Sequence, residues 1–421
     1  MQKSEVSAQV SDFVPFLISW NITKRCNLRC GHCYLDASEL ESDKGELSTA
    51  EGLKLIDDIA LLAPGAMLIL TGGEPLSRGD LFDLAGHATE KGLSIVLGTN
   101  GTLLTEEIIL RLKDSGVKGV GLSIDSLSPS SHDKFRGLDG AWERTVKGAE
   151  LLNKHSIEFQ FQLSVTKDNC DEVESIVEFA YEKGARAMNV FFLVCTGRGQ
   201  DMTDITPQQY EKVLIQLSDL DKKYAGKMMV RGRCAPHFLR VVKQRDPESP
   251  VMKGATSGCI AGTYYFRITP QGDVTPCPYM PTVAGNVKEK SLSEIWQNSG
   301  VFHMLRNPSY VGRCADCEFS DVCGGCRARA LAASGDLMGE APRCEHKPDT
   351  DRGQGSGVRN KKTEIIWEEE ASERLKNVPV FLRSMVKKGI EQYARTKGLS
   401  SITPEMMEEM RKRVTSGKRT L

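Results

Sequence analysis

The sequence predicts an α/β protein whose core is a partial, open barrel of six βα units, a (βα)6 arrangement. A cysteine-rich extension and a small C-terminal helical domain follow it. Three observations carry this prediction. Six short apolar runs alternate with amphipathic stretches from residue 18 to about 225. Cysteine, glycine and proline crowd 226–348, and a polar stretch then leads into three helical patterns.

The apolar runs are 18–23 (ISWNIT), 66–73, 94–100, 119–125, 158–165 and 187–194. They are rich in β-formers and bounded by glycine or polar residues, so they read as buried parallel strands. Helical patterns lie near 48–63, 79–91, 105–115, 141–154, 169–183 and 206–223, with Ser48, Thr105 and Thr206 placed as caps. Right-handed crossovers between such units give a curved parallel sheet. Six units are two short of a closed eight-fold barrel, so an open one is expected, with its chemistry at the carboxyl ends of the strands. The core then spans 14–225. The segment 226–348 has few long periodic stretches and needs metal rather than a large apolar core to fold. Residues 349–363 read as a flexible linker and 364–415 as a helical module, with Pro379 and Pro404 near helix starts and Gly398 after the second helix.

A net charge of −1 gives no reason to expect nucleic acid as a partner. No run of eighteen apolar residues is present and the N-terminus is too polar for a signal peptide, so a cytoplasmic protein without a membrane span is expected. Thirteen cysteines in a reducing compartment point to metal rather than to disulfides.

Cys26, Cys30 and Cys33 follow the first strand directly. Three thiolates suit an iron–sulfur cluster, zinc or copper, and a zinc site with a distant fourth ligand stays open on spacing alone. Three ligands cannot complete a cubane cluster, which leaves one iron for an outside ligand. The second strand ends in Gly72-Gly73-Glu74, the third in Gly98-Thr99-Asn100-Gly101 and the fourth in Ser123-Ile124-Asp125. Glycines let a ligand approach the backbone, Glu74 offers a carboxylate, and period two puts Ser123 and Asp125 on one face.

CNLRCGHC, TGGEPL and GLSIDS closely resemble the radical S-adenosylmethionine (SAM) superfamily over roughly 14–225. The resemblance implies a [4Fe–4S] cluster on Cys26, Cys30 and Cys33 whose open iron chelates SAM. It places Gly73 and Glu74 at the amino group, Ser123 and Asp125 at the ribose, and His32 by the adenine, with Gly72 and Asn100 also in the cofactor site. Its chemistry is a 5′-deoxyadenosyl radical, fed by a low-potential donor such as ferredoxin or flavodoxin.

The later cysteines are Cys259, Cys277, Cys314, Cys317, Cys323, Cys326 and Cys344. A zinc ribbon is the bland reading of paired CxxC. Seven cysteines behind such a core resemble instead the SPASM extension, with one or two auxiliary [4Fe–4S] clusters. By that resemblance Cys314, Cys317, Cys323 and Cys344 hold one cluster, and Cys259, Cys277 and Cys326 the other. Cys323 and Cys326 are separated by two residues where three are usual. Cys234 is the candidate for the missing ligand; Cys170 and Cys195 read as structural.

Arg231, Arg233 and His237 lie close together in VRGRCAPHF and suit a carboxylate-bearing tetrapyrrole. That phrase and RITPQGDVTPCPYMP resemble the branch of the family that makes heme by the siroheme route, most closely the heme b synthases. The tail from Trp367 resembles the C-terminal module of the light-independent protochlorophyllide reductase B subunit. The implied reaction converts two propionates of Fe-coproporphyrin III to vinyls. A siroheme-derived deacetylase, a heme d1-type enzyme and a peptide or enzyme maturase are the alternatives, and a zinc-bound structural protein is the non-catalytic one.

Overall fold

Along 158–165 every second residue is buried: Phe159, Phe161, Leu163 and Val165 point one way, Gln160, Gln162 and Ser164 the other. Such alternation belongs to a strand packed on helices on one side and facing a half-open space on the other. The computed structural model describes residues 13–348 and 366–408, except 41–43, 202–204, 255–257 and positions within 379–398. It divides into two units, Pro15–Lys347, and Pro348–Leu421 with Met1–Val14.

The larger unit carries one sheet of ten strands: β1 (Leu17–Thr23), β2 (Met67–Gly72), β3 (Ser94–Thr99), β4 (Gly119–Ser123), β5 (Glu158–Val165), β6 (Ala187–Phe192), β7 (Met229–Arg233), β8 (Tyr265–Ile268), β9 (Asp273–Thr275) and β10 (Gly285–Asn286). Strands β1 to β7 are parallel neighbours in chain order, and β8 pairs parallel with the other edge of β1. Strands β9 and β10 continue from β8 antiparallel. The sheet ends at β7 on one side and β10 on the other, so the barrel is open.

Helices α1 (Thr49–Leu62), α2 (Leu81–Glu90), α3 (Glu106–Asp114), α4 (Pro129–Arg136), α5 (Ala141–Lys154), α6 (Val173–Glu182) and α7 (Pro207–Lys223) connect the strands. Ser48 and Thr206 each form a reciprocal capping box with the residue three positions on, Glu51 and Gln209, and so fix where α1 and α7 begin. Phe161 of β5 meets Phe179 of α6 with ring centroids 5.9 Å apart. That packing turns Gln160 and Gln162 to the interior of the barrel.

Strand β7 and helix α4 are additions to the six expected units. MVRGR is short, charged and split by a glycine, so it shows no apolar run, yet it pairs in register along β6. Beyond β7 come α8 (His237–Arg245), α9 (Pro250–Gly254), α10 (Leu292–Asn298), α11 (Gly300–Arg306) and α12 (Arg327–Ser334), all short.

In the smaller unit a two-stranded parallel sheet, β11 (Ile366–Trp367) and β12 (Ser401–Ile402), joins α13 (Glu369–Lys376). The sequence reading held only helices here. Ala371, Ile390, Ala394, Ile402 and Met406 form its apolar core. The linker expected over 349–363 lies outside the described residues. Among the described residues no helix is long and apolar enough to cross a membrane.

Candidate active site

The loop leaving β1 folds back on itself: the Cys26 amide donates to Ser38 O and that of Cys33 to Cys30 O. Other elements then pin it. The amides of Arg29 and Gly31 donate to the carbonyls of Arg136 and Phe135 at the end of α4. Arg198, following β6, donates from Nε to Cys30 O (2.9 Å) and from Nη1 to Ala37 O (3.0 Å). Cys26 and Cys30 are buried and Cys33 half-buried, packed with Leu28, Leu35, Ala37 and Leu138. Burial, with Glu74 and the two neighbouring thiols, pushes the Cys26 thiol up to about 12, and burial raises Cys30 as well. Three close thiols, two of them buried, are a donor set completed by a metal cation.

Gly72 and Gly73 also serve a close approach within the protein itself. A Cβ on Gly73 would stand 2.1 Å from Arg25 O, and one on Gly72 2.4 Å from Thr23 O. The amides of Gly73 and Glu74 donate to those carbonyls, both at 2.8 Å. The glycines thus bring the end of β2 against the cysteine loop itself.

Glu74 is fully buried and accepts from Leu76 N (3.1 Å), Thr99 Oγ1 (2.7 Å) and Asn100 N (2.9 Å). Burial outweighs these donors and pushes its carboxyl up to about 7. Three of its roughly four acceptor positions are filled, which leaves room for one more donor. The Asn100 side chain bonds Asn27 of the cysteine loop at 2.9 Å and both donors of Thr102. Ser123 is half-buried at the end of β4. Asp125 is not a free carboxylate: Arg136 occupies its Oδ2 and Ser164 N donates to Oδ1 at 3.0 Å. The His32 ring stacks on Phe135 at 4.5 Å and 7°, and its buried Nδ1 has no partner. Burial and Arg136 hold His32 down at about 4, neutral. Arg136, Arg198 and Asn27 escaped the sequence reading.

Eight of the ten remaining thiols sort into two groups. Cys234, Cys259, Cys277 and Cys326 lie within one another's electrostatic reach, and burial pushes Cys234 up to about 12. Cys314, Cys317, Cys323 and Cys344 form the other set. Gly324 and Gly325, at φ +59° and +66°, turn the chain between them, so Cys323 faces one group and Cys326 the other across only two residues. Cys234 itself adopts φ +55°, and its carbonyl accepts from Arg329 Nη1 at 3.1 Å. Tyr34, beside Cys33, meets Tyr279, two residues after Cys277, edge-on at 5.5 Å. Cys170 stands apart, its sulfur bonded to Gln209 and Lys167.

The three expected substrate residues part company. His237 is buried in α8 with Nδ1 2.9 Å from the Tyr210 hydroxyl. It is withdrawn from any open surface, which corrects the expected role. Arg231 is paired with Asp221. Arg233 alone stays open, donating from Nε to Asn189 Oδ1 at 2.7 Å.

Residues 20–180 match the radical SAM superfamily, 259–318 an iron–sulfur cluster-binding domain, and 367–411 the proto-chlorophyllide reductase 57 kD subunit. The chain is 42% identical to an AdoMet-dependent heme synthase of Methanosarcina barkeri, over 79% of this chain and 97% of that one. It is 31% identical to an Fe-coproporphyrin III synthase of the same organism, over 78% and 87%. The SuiB enzyme of Streptococcus suis bound to S-adenosylmethionine shares the fold at TM-score 0.65 and 18% identity, over 80% of this chain and 79% of that one. The cofactors are SAM, its [4Fe–4S] cluster and auxiliary iron–sulfur clusters. With thiols gathered where the sheet's strands end and with these relatives, the chain belongs to the radical SAM superfamily, in the family that includes the AdoMet-dependent heme synthases.

Proposed function

We propose that this enzyme oxidatively decarboxylates two propionate side chains of Fe-coproporphyrin III, giving heme b. Its 42% identity across 97% of an AdoMet-dependent heme synthase carries the reading. Each propionate gives up a hydrogen atom from its β-carbon, then CO2 and one electron, and a vinyl group remains.

In this reading 14–225 is the SAM-cleaving core and 226–348 the auxiliary-cluster domain. Cys26, Cys30 and Cys33 hold the SAM-binding cluster; the two later quartets, Cys234 included, hold auxiliary clusters. When bound, these groups supply a hydrogen-abstracting 5′-deoxyadenosyl radical and sites for the departing electron. Gly73 and Glu74 hold the SAM amino group, and Ser123 the ribose, with Asp125 acting behind it through Arg136. Arg136 and Arg198 keep the cysteine loop in one shape, and the loop's burial keeps water from the reacting centre. A ferredoxin or flavodoxin is the electron donor.

The 31% identity to an Fe-coproporphyrin III synthase supports a second reading, in which a siroheme-derived tetrapyrrole is the substrate. Anaerobic incubation with SAM, reductant and Fe-coproporphyrin III, followed by mass spectrometry, separates the two. Heme b with one 5′-deoxyadenosine and one CO2 per vinyl is expected. Deoxyadenosine with an unchanged porphyrin overturns the reading.

A further inference from the structure

The inner wall of the barrel is unusually polar on one side. Parallel register sets Gln162 of β5 beside Asn189 of β6 and Asn189 beside Arg231 of β7, with Arg233 one inward position further on. Across β4 the wall is bare: a Cβ on Gly121 would fall 2.4 Å from Gln162 Nε2, so the amide lies where a side chain would otherwise stand. The inner face toward β7 is therefore lined by amides, with the Gln162 amide lying over Gly121 of β4.

Arg233 is the cation of this wall. Its Nε donates to Asn189 Oδ1 at 2.7 Å, and Asn189 Nδ2 donates to Gln160 Oε1 at 2.6 Å. The chain of amides fixes how the guanidinium is turned. Both Nη groups carry no partner among the described residues. The Arg233 side chain is exposed to solvent at the end of β7. No carboxylate offsets its charge, whereas Arg231 has Asp221. A guanidinium fork with one edge tied to Asn189 and the other open is built for a carboxylate.

We infer that Arg233, turned by Asn189 and Gln160, receives a propionate carboxylate of the substrate through its two Nη groups. The inference rests on the porphyrin reading above and adds the residue that orients the ring. The carboxylate it holds is one the product keeps. An ion pair stabilises the charged carboxylate and opposes its loss as CO2, so the reacting propionate lies elsewhere. The next residue, Cys234, turns at φ +55° into the thiol quartet. The anchored ring edge therefore sits one residue from a proposed auxiliary-cluster ligand.

The test is anaerobic absorbance titration of the iron-loaded enzyme with Fe-coproporphyrin III and with its tetramethyl ester. Wild-type enzyme is expected to prefer the acid. Arg233→Gln is expected to weaken acid binding about 10- to 100-fold and to bind acid and ester alike. Arg233→Lys keeps part of the preference, and Asn189→Ala, which frees the fork, loses less than Arg233→Gln. Unchanged iron content reports an intact fold. Wild-type enzyme that converts Fe-coproporphyrin III while Arg233→Gln binds it equally well overturns this assignment alone. Wild-type enzyme that neither binds nor converts it overturns the assignment and the porphyrin reading together.

Discussion

Arg136 binds Asp125 through two nitrogens, Nε and Nη2, each 2.6 Å from the same oxygen, with both side chains buried. The third nitrogen of the guanidinium, Nη1, lies 3.8 Å from the Cys30 sulfur. Removing one partner strands the other charge. Arg136→Leu is expected to cost about 3–5 kcal/mol, and the double variant Arg136→Leu/Asp125→Leu less than that. Urea unfolding of anaerobically prepared protein measures both.

Cys234 and Cys170 are a matched pair for counting iron. Three cubane clusters hold about 12 irons. Cys234→Ala is expected to fall to about 8, with one auxiliary electron-spin signal gone, while Cys170→Ala keeps the full complement. Iron analysis and cluster spectra after anaerobic reconstitution check this.

Two glycines should respond oppositely to alanine. Gly73→Ala drives a methyl to 2.1 Å from Arg25 O and is expected to abolish both the cysteine loop's shape and iron loading. Gly86, inside α2, has nothing within 4 Å of its absent Cβ. Gly86→Ala is expected to stabilise by about 0.5–1 kcal/mol, through helix propensity and a less entropic unfolded chain. Melting temperatures of the two variants against wild type decide.

His237 predicts a pH dependence. Burial first, then the charges of Arg240 on its own helix and of Arg327 and Arg329 on α12, holds it down at about 3; Tyr210 of α7 bonds its Nδ1. The folded state refuses a proton that the unfolded chain takes below about 6.5. Stability from this group is therefore full above pH 6.5 and declines as the pH falls toward 3. Between pH 6.5 and 5 the loss is about 2 kcal/mol. His237→Phe should flatten that slope in urea unfolding, and an unchanged slope would disprove the assignment.

The first six strands were legible because each is an apolar run closed by glycine or polar residues, which is how a buried parallel strand must look. Strand β7 was not, because two arginines and a glycine in five residues erase the apolar signal, and pairing with β6 supplies what composition does not. The cysteines stood out by type and spacing alone. Their supports did not. Arg198 reaches Cys30 O across 168 positions and Arg136 reaches its sulfur across 106, and an arginine whose partners lie so far along the chain leaves no local pattern. The TGG segment was visible, but its close approach to the Arg25 and Thr23 carbonyls, set by the fold, was not. Three neighbours in VRGRCAPHF looked equivalent in sequence; period two puts both arginines on one face, Asp221 pairs Arg231, and His237 falls to the helix behind.

The Gly324–Gly325 turn has a consequence for how the protein matures and fails. Three peptide units span at most about 11 Å, so the backbone at Cys323 and Cys326 can never drift further apart than that. A workshop that fills one nest of sulfurs fixes the doorway of the other, and oxidative loss at either pulls on the same short tether. Whichever set fills first, a ligand of the other is held within reach of its partners.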